Sequence, residues 1–228
     1  MRIEKSVNCM DCPLKCDIYL TAREMGMEEL LKPVYVYYKK FETICRQGSK
    51  ILNSTILIQG NAKMFVSGHC SRSIILNILI PSNYVGLISV YGLPEYPYSV
   101  SALEACHTCQ IDNEALEQIY LRNEPFMKLL NHAFGHSVSN IMDKLITLNQ
   151  KHIRGRVAES LLYLSRIYDS NSFKLSITRR ELGELSAISE ENTVRVLTEL
   201  RNENVISTEG RNVVLKDTEA LLRISMNC

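Results

Sequence analysis

The chain has 228 residues, 46% of them apolar, with 26 Lys and Arg against 25 Asp and Glu for a formal net charge of +1. That much apolar surface excludes intrinsic disorder and suffices for one large or two small cores. The even charge balance excludes a generic polycation, so any nucleic-acid surface must be local.

The N-terminus, Met1-Arg2-Ile3-Glu4-Lys5, lacks the apolar core of a secretory signal, and the longest nearly unbroken apolar run, Ile74 to Pro81, is too short to span a bilayer. The expectation is a cytoplasmic protein with reduced thiols, in which eight Cys point to metal or redox chemistry more than to disulfides. Three of them stand in Cys9-Met10-Asp11-Cys12-Pro13-Leu14-Lys15-Cys16. A loop this short can wrap three corners of one metal cluster, leaving a fourth thiol to come from a distance. A helical stretch is expected around Thr21 to Leu31, with Thr21 and Glu24 spaced as a capping box.

From about Pro33 to Ile111 the texture is strand-like. Val34–Tyr38, Ile56–Ile58, Met64–Val66, Ile74–Ile80 and Val85–Val90 are short β-prone runs punctuated by Gly48, Gly60, Gly68, Gly86 and Gly92. Such spacing predicts an antiparallel barrel or roll. Cys45 and Cys70 read there as small buried apolar residues.

Residues 113–150 read as helix. Phe134, Val138, Ile141, Leu145 and Leu148 step by 4, 3, 4 and 3, a heptad seam that Met127 extends by one repeat. A self-dimer is the simplest partner for it. His132 and His136, at i and i+4, have a metal-binding spacing but lie off the seam, and they read as solvated surface histidines.

Residues 151–228 hold 12 Lys and Arg and 11 Asp and Glu. Within them, Ile177-Thr178-Arg179-Arg180-Glu181 opens one helix with a capping box at Thr178 and Glu181. Leu182 and Leu185 form its buried stripe, and Ala187-Ile188-Ser189 marks a tight turn. A second helix starts at about Ser189, burying Thr193, Val196, Leu197 and Leu200. Its outward face shows Glu191, Val194, Arg195 and Thr198. An Arg that can read guanine, a Glu that can accept from cytosine and a Val that can meet a thymine methyl suit a helix in the major groove. The plain alternative is a solvated helix with a Glu191–Arg195 ion pair. Gly210-Arg211 between the strand-like Val205-Ile206 and Val213–Leu215 reads as a wing.

In this order, a β-rich part, a dimerisation helix and a winged helix-turn-helix resemble the Crp/Fnr family of bacterial transcription regulators, closest in pattern to the Fnr (iron–sulfur) branch. The likeness covers essentially the whole chain. It implies an α+β fold: an antiparallel β-roll of cyclic-nucleotide-binding type with its Cys-containing arm over 1–120, a dimerisation helix over 121–150, and a winged helix-turn-helix over 151–228. By resemblance Glu191 and Arg195 read base edges, while Thr178, Arg179, Ser189 and Arg201 hold phosphates or sit near them. Val194 stands where Fnr-type members carry Ser and Crp-type members Gly. The implied partners are a second copy of the chain, palindromic promoter DNA and RNA polymerase, with no enzyme activity and no membrane.

The family leaves the signal open. The Gly-Glu and Arg-Ser pairs that hold a cyclic nucleotide in the Crp branch become Gly86-Leu87 and Tyr96-Pro97-Tyr98-Ser99 here, with no Arg for the phosphate, so cyclic AMP is not expected. Ala102-Leu103-Glu104 resembles the Fnr segment that leads, after four residues, to the fourth cluster ligand, here Cys109. The resemblance therefore implies a [4Fe–4S] cluster on Cys9, Cys12, Cys16 and Cys109, although three residues separate Cys12 from Cys16 where the best-known members have five. Cys106 is an alternative fourth ligand. A structural zinc, a dithiol switch, a haem on His69 or His107, and no cofactor at all stay open, as does an iron–sulfur electron-transfer protein.

Overall fold

A computed structural model describes residues 2–4, 8–68 and 73–226 of the chain. His69 and Cys70 lie outside the described residues. In chain order the elements begin with β1 (Arg2–Glu4), α1 (Asp17–Glu24), β2 (Val34–Tyr38), β3 (Thr43–Cys45), β4 (Asn53–Gln59), β5 (Ala62–Ser67), β6 (Ser73–Leu79), β7 (Tyr84–Val85), β8 (Ser99–Ala102) and β9 (Cys106–Asp112). They continue with α2 (Asn113–Arg122), α3 (Glu124–Gln150), α4 (Ile153–Tyr168), β10 (Ser172–Lys174), α5 (Arg179–Ser186), α6 (Glu190–Asn202), β11 (Ile206–Glu209), β12 (Asn212–Leu215) and α7 (Thr218–Met226). Contacts divide the chain into two units, Met1–Val66 with Leu79–Ser139, and Ser67–Ile78 with Asn140–Cys228. Among the described residues no helix is long and apolar enough to cross a membrane.

The first unit is built on a five-stranded sheet in the order β1-β2-β9-β4-β7, accompanied by β3, β8 and β5, neighbours in that order in a second sheet. Successive side chains of a strand point to opposite faces, and this alternation creates two cores. Val36 and Tyr38 of β2, Leu57 of β4 and Cys106 of β9 join Ala62, Val100 and Ala102 of the second sheet. Ile56 and Ile58 of β4, with Cys109 and Ile111 of β9, bury against Ile18 and Tyr19 of α1, Leu116 and Ile119 of α2, and Phe126 and Leu130 of α3. Each fully buried Leu or Ile contributes about 1.5–3 kcal/mol, so the second core binds the N-terminal segment firmly to the sheet.

Three local expectations are corrected. The first helix runs over Asp17–Glu24, so Thr21 is interior and caps nothing. It stops where Gly26 takes φ +64° and the amides of Gly26 and Met27 donate to Arg23 and Ala22 carbonyls, a Schellman close. Glu28–Leu30 is then a single 3-10 turn. The run Val85–Val90 leaves the strand after Val85, because Gly86 and Gly92, at φ +92° and +88°, bracket a 3-10 helix over Leu87–Tyr91. The helical stretch 113–150 is two helices, broken at Asn123 (φ −126°, ψ 101°), whose side chain then accepts the Phe126 amide and starts α3.

The second unit packs α4, α5, α6 and α7 with a three-stranded sheet in the order β10-β12-β11. Val157, Leu161, Leu164, Leu182, Leu185, Val196, Leu200 and Leu221 are buried. Strand β10 and helix α7 add to the strand pair expected from sequence. The turn between β11 and β12 places Gly210 at φ +56°, a left-handed position that suits glycine.

Candidate functional site

Cys9, Cys12, Cys16 and Cys109 line one cavity of the first unit, together with Leu14, Tyr35, Ile56, Ile58 and Ile111. The local chain explains how. Asn8 accepts the Met10 amide and starts a 3-10 turn over Cys9–Asp11. The chain then reverses at Lys15, φ +41°, and Cys16 stands at the N-cap of α1. Cys109 comes from β9, opposite Tyr35 of β2 and Ile56 of β4. Cys106, three residues earlier, faces the other core and donates its thiol to the Asn61 carbonyl at 3.2 Å. An odd separation along a strand puts the two thiols on opposite faces.

Burial pushes the Cys9 thiol up to about 11, with Cys16 and Cys12 adding to the shift. Burial raises Cys109, with Cys9, Cys16 and Cys12 adding to the shift. Cys16 is also raised by burial, although the Tyr19 and Ile18 amides at the start of α1 pull the other way. Without a bound cation these sulfurs are therefore held as thiols. Sequence reasoning missed Tyr35, whose hydroxyl is raised by burial and by its hydrogen bond with Cys12. Its only signal is a strand register fixed by long-range pairing.

The donor set suits a soft metal centre: four thiols, apolar walls and Lys15 as the one charged lining residue. Among the described residues no three His, Cys, Asp or Glu side chains converge on a point that would hold a single ion. The sulfurs instead surround a free volume of about 10 Å³, roughly one water in size.

The second candidate site lies in the second unit. Thr178 caps α5 in a reciprocal box, its hydroxyl accepting the Glu181 amide at 3.1 Å while Glu181 accepts the Thr178 amide at 2.7 Å. Ser189 caps α6 by accepting the Asn192 amide at 3.2 Å. Between them Ala187 takes φ +51°. Gly183 lets the two helices touch, since a Cβ there would lie 2.8 Å from the Ile188 carbonyl and 2.9 Å from Thr193 Oγ1.

Thr193, Val196, Leu197 and Leu200 are buried, while Glu191, Val194 and Arg195 are exposed, Val194 by 48%. Arg195 pairs with Glu199 at 2.9 Å and with Asn192 Oδ1 at 3.3 Å, in place of the Glu191 pairing that spacing allows. Arg201, also exposed, continues the row of Val194 and Thr198. Arg179 donates to the Gly210 carbonyl at 2.8 Å. Burial and nearby Arg211 pull its guanidinium down, so two cations meet at the wing turn.

Residues 35–123 match the cyclic nucleotide-binding domain family and residues 155–224 the Crp-like helix-turn-helix domain family. The chain is 27% identical over 229 residues to the transcriptional activator protein Anr of Pseudomonas protegens, covering 95% of this chain and 92% of that one. It is 24% identical over 186 residues to the cAMP-activated global transcriptional regulator CRP of Salmonella typhimurium, covering 79% and 89%. Its fold matches FixK2 of Bradyrhizobium japonicum at a TM-score of 0.78 and 19% identity, over 85% of this chain and 98% of that one. The chain belongs to the Crp/Fnr family. It is a transcription regulator, not an enzyme, and regulators of this family bind DNA and dimerise.

In this Crp/Fnr chain the apolar row on α3 is largely uncovered. Phe134, Val138, Ile141 and Leu145 are 39%, 36%, 42% and 61% exposed, and Leu148 is half-buried. Phe134 rests on Tyr91, ring centroids 4.6 Å apart. Around Gly86 the chain's own aromatics fill the space: the Gly86 amide donates to Tyr98 Oη at 3.3 Å, and Tyr96 Oη donates to the Asn53 carbonyl at 3.4 Å. Ser99 Oγ accepts the Gln47 amide at 2.9 Å. His107 stacks on Tyr37, centroids 4.3 Å apart.

Proposed function

We propose that the protein is a cytoplasmic, homodimeric regulator that reads palindromic promoter DNA and senses oxygen, nitric oxide or redox state through a [4Fe–4S] cluster on Cys9, Cys12, Cys16 and Cys109. Residues 1–120 form the sensor, 121–150 the dimerisation helix, and 151–228 the DNA-binding domain, which acts with RNA polymerase as its partner. The observation that carries this reading is the gathering of those four thiols, and not Cys106, around one apolar cavity.

A bound cluster supplies a centre whose integrity depends on oxygen, nitric oxide and electron supply. The chain does the rest. Cys9, Cys12 and Cys16 would hold the centre from a short loop packed on the core, and Cys109 from strand β9. Because the free volume is small, a cluster held there would require the Cys9–Cys16 loop to give way. That loop packs on the core that includes Phe126 and Leu130, in the first turns of α3. A change there biases the seam Phe134, Val138, Ile141, Leu145 and Leu148, and a few kcal/mol suffices to switch a two-state population. Dimerisation through that seam sets two α6 helices about one DNA turn apart. Glu191, Val194 and Arg195 then meet base edges, while Thr178, Arg179, Ser189 and Arg201 lie at the phosphates. Tyr96 and Tyr98, and the lack of an Arg between Tyr96 and Ser99, support a regulator that does not respond to cyclic AMP.

Anaerobic purification, followed by iron, sulfide and zinc analysis and visible absorption before and after air, tests the reading. About four irons and four sulfides per chain, with colour that bleaches in air, are expected. Cys12→Ala and Cys109→Ser should lose them, and Cys106→Ser should keep them. Zinc alone, or no metal, would overturn the sensor while leaving the DNA-binding reading intact.

A further inference from the structure

Two histidines on α3 form a site that neither the thiol cavity nor the DNA-binding face uses. His132 and His136 are both exposed, and their Nε2 atoms stand 3.3 Å apart, with ring centroids at 4.4 Å and an interplanar angle of 73°. Two imidazole nitrogens bound to one tetrahedral ion, each at about 2.0–2.1 Å, stand about 3.3–3.4 Å apart. The pair thus already has the bite of a chelate. In the metal-free chain a hydrogen bond between the two rings holds the nitrogens at this distance, and an ion would take the place of its proton.

The chemistry of the pair selects the ion. Two imidazoles with no thiolate or carboxylate suit zinc, nickel or copper rather than magnesium or calcium. The nearest lysine one turn earlier, Lys128, is drawn away to Glu124 at 2.6 Å. Exposure leaves the remaining coordination positions to water.

The location gives the ion a consequence. Gly135, the one glycine of α3, lies between the two histidines, and glycine is a poor helix former. Ser137 Oγ donates back to the Ala133 carbonyl at 3.0 Å, a contact that tends to bend helices. Residues 131–140 are all exposed, and apart from Phe134 against Tyr91 and Asn131 against Tyr120 Oη little within the chain braces this stretch. Phe134 and Val138 of the seam lie in the same turns.

We propose that His132 and His136 bind a divalent, imidazole-preferring transition ion, and that the ion staples α3 across Gly135. A ligand held only by the helical form stabilises that form by mass action. The site therefore makes the seam-bearing segment responsive to metal supply, independently of the thiols.

Titration of the full-length protein with Ni(II) alone tests this, with stoichiometry by equilibrium dialysis and thermal melting as the second readout. Wild type and the control His152→Gln should bind one ion more per chain than His132→Gln or His136→Gln, and nickel should raise the melting temperature of the first two by more than that of the others. Loss of either imidazole should weaken that ion by at least about tenfold, the low end of what even outer-shell changes cost. Adding Asn140→His to His132→Gln rebuilds an i,i+4 pair one turn on and should restore both readouts. Equal stoichiometry and equal melting shifts in all variants would overturn the proposal, because the nickel would then sit on groups common to them all.

Discussion

Cys106 and Cys109 differ by three positions on one strand, and that odd number decides which of them meets the N-terminal thiols. Residue-scale logic of the same kind governs Lys144. Its ammonium, on α3, donates to the Leu185 carbonyl in the last turn of α5, where the helix dipole favours a cation. Burial pulls Lys144 down from 10.5 to about 8, against the upward pull of Glu159. The folded unit therefore binds fewer protons than the unfolded chain between those two values. Stability from this group rises with pH across that window and is lost as pH falls through about 8. Lys144→Met should remove the slope. Urea unfolding at several pH values should show wild type gaining on the variant from about pH 7.5 to about pH 10. The raised thiol of Cys9 titrates nearby but is common to both proteins and cancels in the difference. A constant difference across that range would mean that Lys144 is not held away from water.

At the scale of elements, α5 and α6 approach each other tightly at Gly183. An alanine there gains helix propensity of about 1 kcal/mol but drives its Cβ to 2.8 Å from a backbone carbonyl and 2.9 Å from Thr193 Oγ1. Overpacking of this kind costs about 1–3 kcal/mol. Gly183→Ala should therefore melt the second unit at lower temperature and weaken DNA binding, whereas Gly135→Ala on the open face of α3 should not lower the melting temperature. These helices were legible because Thr178, Glu181 and Ser189 announce their starts through local hydrogen bonds. Thr21 and Glu24 have the same spacing and announce nothing. The capping box needs a chain entering from outside the helix, and at Thr21 the helix has already begun at Asp17. The strand reading of Val85–Val90 failed for an equally local reason, the left-handed turns at Gly86 and Gly92. The thiol cavity is legible only halfway. Cys9, Cys12 and Cys16 are close in sequence, but the register that sets Tyr35 opposite Cys109 is a long-range pairing with no local mark.

For the whole molecule, the proposal makes the seam on α3 the link between sensing and DNA reading, and its exposure in the single chain is the reason to expect a second copy there. Ile141 sits at its centre with 42% of its surface open. A lysine placed there stays solvated in the monomer but must be buried, without a partner, when two seams meet. Removing one charge's compensation at a buried site costs about 3–5 kcal/mol, equivalent to about two to four decades in a dissociation constant. Ile141→Lys should thus raise the dimer dissociation constant by that factor in sedimentation experiments. It should also abolish footprints on palindromic sites, which need two recognition helices held together. Iron content and the far-ultraviolet dichroism of the monomer should not change, because Ile141 touches neither the thiol cavity nor the cores of either unit. Unaltered self-association in this variant would move the dimer surface off the seam. Loss of iron along with the dimer would instead mean that the four thiols are gathered only when α3 is paired, reversing the direction in which the signal is taken to run.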